Sequence, residues 1–301
     1  MTKKSFQGTG TAMVTPFTAD GAVDEAALRR FVDFQIAGGV DMLLPCGTTG
    51  EGATLESDEA DRVLSIVLDQ TKKRVPVIFG AGSNSTKKAV QATESAKRLG
   101  ADGVLSVGPY YNKPTQRGFH EHFKAVAEVG LPVIVYNVPG RTGSNIEAAT
   151  MLNMAEIPNI VAVKEASGNL NQMMEIIRSR PADFRVLAGD DAITLPLIAA
   201  GGDGVVSVVS NEVPGPMAKM VDAALEGDFV RARELHYKLL PLMNANFIES
   251  NPIPVKAVLS MMGMMGENYR LPMVPMAPAN RAQIQKIAEG MGLLQSVGAP
   301  R

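Results

Sequence analysis

The chain has 301 residues, a formal net charge of −2, 46% hydrophobic and 20% charged residues. This is the balance of a soluble globular protein, long enough for one large domain or two modest ones. Such a charge argues against a nucleic-acid partner, which needs a clustered basic face; the densest basic run, Lys72-Lys73-Arg74, reads as the charged end of a helix. Cys46 is the single cysteine, which excludes an intrachain disulfide and a CxxC metal site.

No stretch approaches the roughly 18 uninterrupted apolar residues of a membrane span. Lys3 and Lys4 are not followed by a signal-peptide core. A cytoplasmic location with no membrane partner is the expectation.

Eight short apolar runs, each ending in small or polar residues, recur at 10–15, 40–45, 76–80, 103–107, 132–136, 160–164, 185–188 and 204–209. Segments of helical period separate most of them. Leu28, Phe31, Val32 and Ile36 form one stripe, with Asp24 placed to cap its start and Gly38-Gly39 to stop its end. Val63, Ile66 and Val67 form a second, with Ser57 as its expected cap, and Leu99-Gly100 ends a third.

Strand–helix alternation at spacings of about 19 to 36 residues implies a parallel sheet. Eight such units closing on themselves give an α/β fold, the (β/α)8 TIM barrel. An open doubly wound sheet competes, but it needs edges and a topological switch point. After about residue 210 the strands stop. Helices are expected at 214–225, 228–243, 253–262 and 278–292, the first completing the barrel. The expected division is a barrel over 1–225 and a C-terminal helical region over 226–301.

Barrels of this type carry their chemistry at the C-terminal ends of the strands. Thr48, Thr49 and Glu51 follow the second run, Tyr110 and Tyr111 the fourth, Tyr136 and Asn137 the fifth, Lys164 the sixth, and Asp190 and Asp191 the seventh. Lys164 closes the run Ile160-Val161-Ala162-Val163, which reads as a strand buried on both faces. An ammonium there must either leave the sheet or lose charge, and a desolvated amine is a nucleophile. It points toward Schiff-base chemistry, unless the lysine snorkels to water.

Gly47-Thr48-Thr49-Gly50-Glu51 is either an ordinary βα turn or a small anion nest of carboxylate size; it lacks the Gly-Lys-Ser/Thr of a P-loop. Tyr136 is a candidate proton shuttle or an aromatic plug over the core. Arg141, in a Gly-flanked loop, is a candidate carboxylate fork or a solvated charge.

Gly80-Ala81-Gly82-Ser83-Asn84-Ser85 is half a dinucleotide fingerprint, without the third glycine or an acid at the next strand end, so nicotinamide binding is rejected. Asp190-Asp191 suits helix capping better than a divalent metal. His120 and His122 point to different sides of a helix and make a poor metal pair. Cys46 reads as an inert buried thiol, and Met261-Met262-Gly263-Met264-Met265 as filler of an irregular core or subunit contact.

Taken together, GTTGE at 47–51, PYYN at 109–112, YNVPGRTG at 136–143, KEASGN at 164–169, GDD at 189–191, NPIPVK at 251–256 and RLPM at 270–273 resemble the dihydrodipicolinate synthase family, within the pyruvate-dependent class I aldolases. KEA and GTTGE are shared, with variation, by sialic-acid and keto-sugar lyases; GTTGE with PYYN and YNVPGRT is more specific.

The resemblance implies 4-hydroxy-tetrahydrodipicolinate synthesis, in which pyruvate and L-aspartate 4-semialdehyde condense for diaminopimelate and lysine biosynthesis. It implies a Schiff base on Lys164 and a proton relay of Thr48, Tyr136 and Tyr111, with Tyr111 reaching into a neighbouring subunit. The Thr48-Thr49 turn would hold the pyruvate carboxylate and Arg141 that of the semialdehyde, while Gly189 and Val206 line the pocket. No metal or organic cofactor is implied. A homotetramer, a dimer of dimers, is the family expectation.

Lysine-inhibited members carry histidines early in the second helix and a glutamate early in the third. Here those positions are Ser57, Ala60 and Lys88, while Asn84 and Tyr110 remain as a possible remnant of the allosteric site. Weak or absent lysine feedback is expected, because Lys88 repels a cationic ligand.

Overall fold

The computed structural model describes residues 6–294. Its strands are β1 (Gly8–Ala12), β2 (Met42–Leu44), β3 (Ile78–Gly80), β4 (Gly103–Val107), β5 (Val133–Asn137), β6 (Ile160–Glu165), β7 (Arg185–Ala188) and β8 (Gly204–Ser207). All ladders between them are parallel, in the order β2-β1-β8-β7-β6-β5-β4-β3. A parallel bridge between Leu43 and Val77 joins the two ends, so the sheet closes into a (β/α)8 barrel. An open sheet is thereby excluded.

The two-residue period of the strands sorts side chains into two cores. Ala12, Met42, Leu44, Ile78, Leu105, Ile134, Ala162, Leu187 and Val206 fill the barrel interior, with Phe6 among them. Their neighbours Leu43, Phe79, Val104, Val133, Val135, Val163, Val186 and Val205 face outward and pack under the helices. Each fully buried aliphatic side chain stabilises the fold by about 1.5–3 kcal/mol relative to its exposed state.

Helix ends follow the local chemistry. Asp24 accepts from the Ala27 N–H at 2.9 Å and caps Glu25–Ala37, and Gly38 ends that helix. Gly100, in the left-handed conformation, ends Thr86–Leu99. The helix Ser57–Thr71 corrects an expectation: Ser57 is its first helical residue, and Glu56 is the cap. Glu56 and Glu59 form a reciprocal box, the Glu56 N–H donating to Glu59 Oε2 at 3.0 Å, and this i, i+3 pairing moves the cap one residue upstream.

Past the barrel strands lie Pro214–Leu225, Phe229–Ala245, Ile253–Met261 and Pro278–Gly290, close to the expected spans. Pro214–Leu225 packs on β1 and β8 and on Phe229–Ala245, and Ile253–Met261 lies against the short turn Val209–Asn211 at the barrel mouth. Residues 208 and 209, expected as strand, belong to this turn region instead. Among the described residues no helix is long and apolar enough to cross a membrane.

Candidate active site

Lys164 and Ala162 share the inward face of β6, so alternation aims the lysine into the barrel mouth. It is 5% exposed, and the strand continues one residue beyond it, to Glu165. Tyr136 on β5 stands opposite Lys164 in the ladder, and Lys164 Nζ lies 4.3 Å from its ring centre. Snorkelling is excluded: the amine is held under an aromatic face.

Burial sets the amine's charge. Desolvation pushes the Lys164 pKa down to about 8; Asp191 opposes the shift and Arg141 adds to it. About one amine in ten is then unprotonated at pH 7, against about one in 3,000 for an ordinary lysine. Desolvation also pushes the Tyr136 hydroxyl up to about 12, with Arg141 pulling down and Asp190 pushing up, so Tyr136 is a neutral phenol at pH 7.

Several strand-end loops converge on this pair. Arg141 sits on the four-residue helix Pro139–Thr142 after β5, exposed yet close enough to act on both Lys164 and Tyr136. Gly189 follows β7; a Cβ there would meet Ala166 and would stand 3.2 Å from Lys164 Cε, so only glycine lets the loop approach. Val206 lies on the interior face with Tyr136 and Leu187. Thr48 is exposed in the turn after β2, whereas Thr49 beside it is buried.

Tyr111 is 90% exposed, with a left-handed φ of 74°. Tyr110 is partly exposed, and Asn112 Nδ2 donates to the Asn84 carbonyl at 2.8 Å, tying the tyrosine loop to the loop after β3.

The aspartates divide their work. Asp190 accepts from the Ala192 N–H at 2.9 Å and caps the turn Asp191–Ile193. Buried Asp191 accepts from the N–H groups of Val208 at 3.1 Å and Val209 at 2.8 Å, bridging the β7 and β8 loops. Desolvation raises its pKa to about 6. The glycines of the loop after β3 serve packing: a Cβ on Gly80 would collide with the Cys46 carbonyl, and one on Gly82 with the Val107 N–H. Cys46 is buried and its thiol pKa is pushed up by desolvation, as an inert thiol requires.

Two further features join residues of different motifs. Glu165, fully buried, accepts from Asn137 Nδ2 at 3.0 Å, from the Ser167 N–H at 2.7 Å and from Gln172 Nε2 at 3.1 Å. Asn137 also donates to Asn145 Oδ1 at 2.8 Å, so a polar net locks the β5 and β6 ends that carry Tyr136 and Lys164. Secondly, Lys256 pairs with Glu51 at 2.6 Å, both buried. A lysine within the apolar run Ile253-Pro254-Val255-Lys256-Ala257-Val258-Leu259 is a sequence cue to it, but nothing in the sequence pairs it with Glu51.

A desolvated amine under a tyrosine at the mouth of a (β/α)8 barrel is the constellation of a Schiff-base lyase of the class I aldolase type. The model of the dihydrodipicolinate synthetase family matches residues 5–291. A 4-hydroxy-tetrahydrodipicolinate synthase of Koribacter versatilis is 56% identical over 292 residues, 96% of this chain and 97% of that protein. The crystal structure of dihydrodipicolinate synthase from Aquifex aeolicus superposes with a TM-score of 0.95 at 45% identity, covering 97% of this chain and all (100%) of that one. The chloride-inhibited dihydrodipicolinate synthase from Acinetobacter baumannii, complexed with pyruvate, gives 0.94 at 41% identity over 96% and 99% of the two chains. The chain belongs to the dihydrodipicolinate synthetase family and is an enzyme, a class I aldolase-type lyase.

Proposed function

We propose that the chain joins pyruvate to L-aspartate 4-semialdehyde through a Schiff base on Lys164, the 4-hydroxy-tetrahydrodipicolinate synthase activity of its full-length relatives. The observation that carries this reading is the Lys164 amine, buried at the barrel mouth with its pKa lowered to about 8.

The free amine attacks the pyruvate carbonyl, and loss of water gives an iminium that acts as an electron sink. A methyl proton becomes removable, and the resulting enamine attacks the aldehyde carbon. The semialdehyde's own amine then displaces Lys164, closing the ring and freeing the enzyme. Tyr136, Thr48 and Tyr111 relay the protons. The Thr48-Thr49 turn binds the keto-acid carboxylate, Arg141 that of the semialdehyde, and Gly189 and Val206 shape the pocket.

Holding both reactants in line lowers the barrier by up to about 7–11 kcal/mol, whereas one general acid contributes roughly 10²–10⁴-fold in rate. Positioning thus outweighs any one hydroxyl. The 90% exposure of Tyr111 supports a homo-oligomer in which a second subunit covers it, a dimer of dimers in the family arrangement. The product feeds diaminopimelate and lysine biosynthesis in the cytoplasm.

Borohydride trapping with pyruvate, followed by turnover with L-aspartate 4-semialdehyde, tests the reading. An adduct on Lys164 together with turnover is expected. An adduct without turnover points to a sister lyase acting on a longer 2-oxo acid, and no adduct points to a non-catalytic binder of small acids.

A further inference from the structure

Contacts from distant parts of the chain converge on the 47–51 turn. Thr15 Oγ1 donates to the Gly50 carbonyl at 2.6 Å, and Asn251 Nδ2 donates to Thr49 Oγ1 at 2.9 Å. Lys256 Nζ donates to Glu51 Oε1 at 2.6 Å, and the Arg270 N–H donates to Glu51 Oε2 at 3.2 Å. All but the first come from the C-terminal region: Asn251 in the turn before Ile253–Met261, Lys256 on that helix, and Arg270 in the segment between it and Pro278–Gly290.

Lys256 is fully buried, its ammonium 4.4 Å from the Phe17 ring centre and 5.3 Å from that of Tyr269. A buried ion pair is seldom more stabilising than apolar side chains of the same shape, so stability is a poor reason for it. What the pair holds is a conformation. Glu51 has φ of 53°, a left-handed geometry that a non-glycine residue keeps only where its surroundings impose it. The Glu51 N–H donates to the Thr48 carbonyl at 3.1 Å, and the Gly52 N–H to the Gly47 carbonyl at 3.1 Å, so fixing Glu51 fixes the direction of Thr48 and Thr49. Asn251 adds a second constraint. A hydroxyl that accepts an N–H through a lone pair turns its own proton elsewhere, which leaves the Thr49 proton free to donate to a bound anion.

We propose that Lys256 and Asn251 are positioning residues for the keto-acid carboxylate, acting through Glu51 and Thr49 to hold the 47–51 turn in its anion-binding shape. The inference rests on the reading of that turn as the pyruvate carboxylate site. The C-terminal helices thus belong to the substrate site without touching substrate.

The test compares E51Q/K256M, which removes both charges and leaves no unpaired ion, with N251A and T49V. Melting temperature and circular dichroism establish folding. In the double variant the KM for pyruvate, and the pyruvate concentration that half-saturates borohydride trapping, are expected to rise about tenfold, and about threefold in N251A. The KM for L-aspartate 4-semialdehyde and the pH profile of kcat stay at wild-type values, which a general loosening of the fold would not allow. An unchanged pyruvate KM in the folded double variant overturns the proposal. Should that variant not fold, N251A decides by the same measurement. T49V separates the two levels. If it raises the pyruvate KM while the others do not, only the positioning role falls; if it too leaves that KM unchanged, the carboxylate reading of the turn falls with it.

Discussion

Lys164 and Tyr136 are register partners across β5 and β6, and the lysine nitrogen rests 4.3 Å from the centre of the tyrosine ring. An aromatic face stabilises a desolvated cation by only about 2 kcal/mol, whereas desolvation costs an ion several kcal/mol or more, to order of magnitude. Desolvation wins, and the amine titrates near 8 rather than 10.5.

Y136F separates ring from hydroxyl. The phenyl face still covers the amine, so the pH dependence of pyruvate trapping should stay close to wild type. Loss of the hydroxyl should lower kcat by roughly 10²–10⁴-fold. Steady-state rates within threefold of wild type would remove Tyr136 from the relay.

K164M abolishes the adduct and should stabilise the protein near neutral pH. The folded-state pKa of Lys164 is depressed from 10.5 to about 8. Below pH 8 the lysine is charged in both the folded and unfolded states, and the fold bears the whole penalty, about 3 kcal/mol for such a shift. Between pH 8 and 10.5 the unfolded chain binds the extra proton, so wild-type stability rises with pH. The advantage of K164M is therefore full below pH 8 and fades toward 10.5. Denaturant titrations at pH 7 and pH 10 check the sign.

D191N acts on the amine from a distance. The Asp191 carboxylate raises the Lys164 pKa against desolvation, so its neutral replacement should move the acid limb of the trapping-rate profile to lower pH. Asparagine keeps a carbonyl oxygen for the Val208 and Val209 N–H groups. Since Asp191 itself protonates near pH 6, the two profiles should converge below that pH. Superimposable acid limbs above pH 6 would show that Asp191 does not influence the amine.

Free lysine at 1 mM should leave the steady-state rate unchanged. Ser57 and Lys88 are exposed and Ala60 is half-buried; on the family resemblance these are the lysine-site positions, where the Lys88 ammonium repels a cationic ligand. Half-inhibition below 1 mM would refute this expectation.

The barrel and the buried amine at its mouth were legible in the linear order of residues. Strand period and helix stripes are local properties, and eight alternating units have a compact closed solution. Lys164 is legible because a cation at the end of a β-branched run conflicts with burial, and Gly47-Thr48-Thr49-Gly50-Glu51 because its glycines mark a turn. Ser57 misleads as a cap because a reciprocal Glu56–Glu59 box outcompetes a single hydroxyl.

Which distant groups meet follows from the folded chain alone. Lys256 lies 205 positions from Glu51, and Asn251 lies 202 from Thr49. No period or spacing relates such residues; closure of the barrel and docking of the C-terminal helices do. The Lys164 pKa is likewise a tertiary quantity, because desolvation depends on what covers the amine, and Tyr136 on β5 and the Gly189 loop after β7 supply that cover from separate parts of the chain.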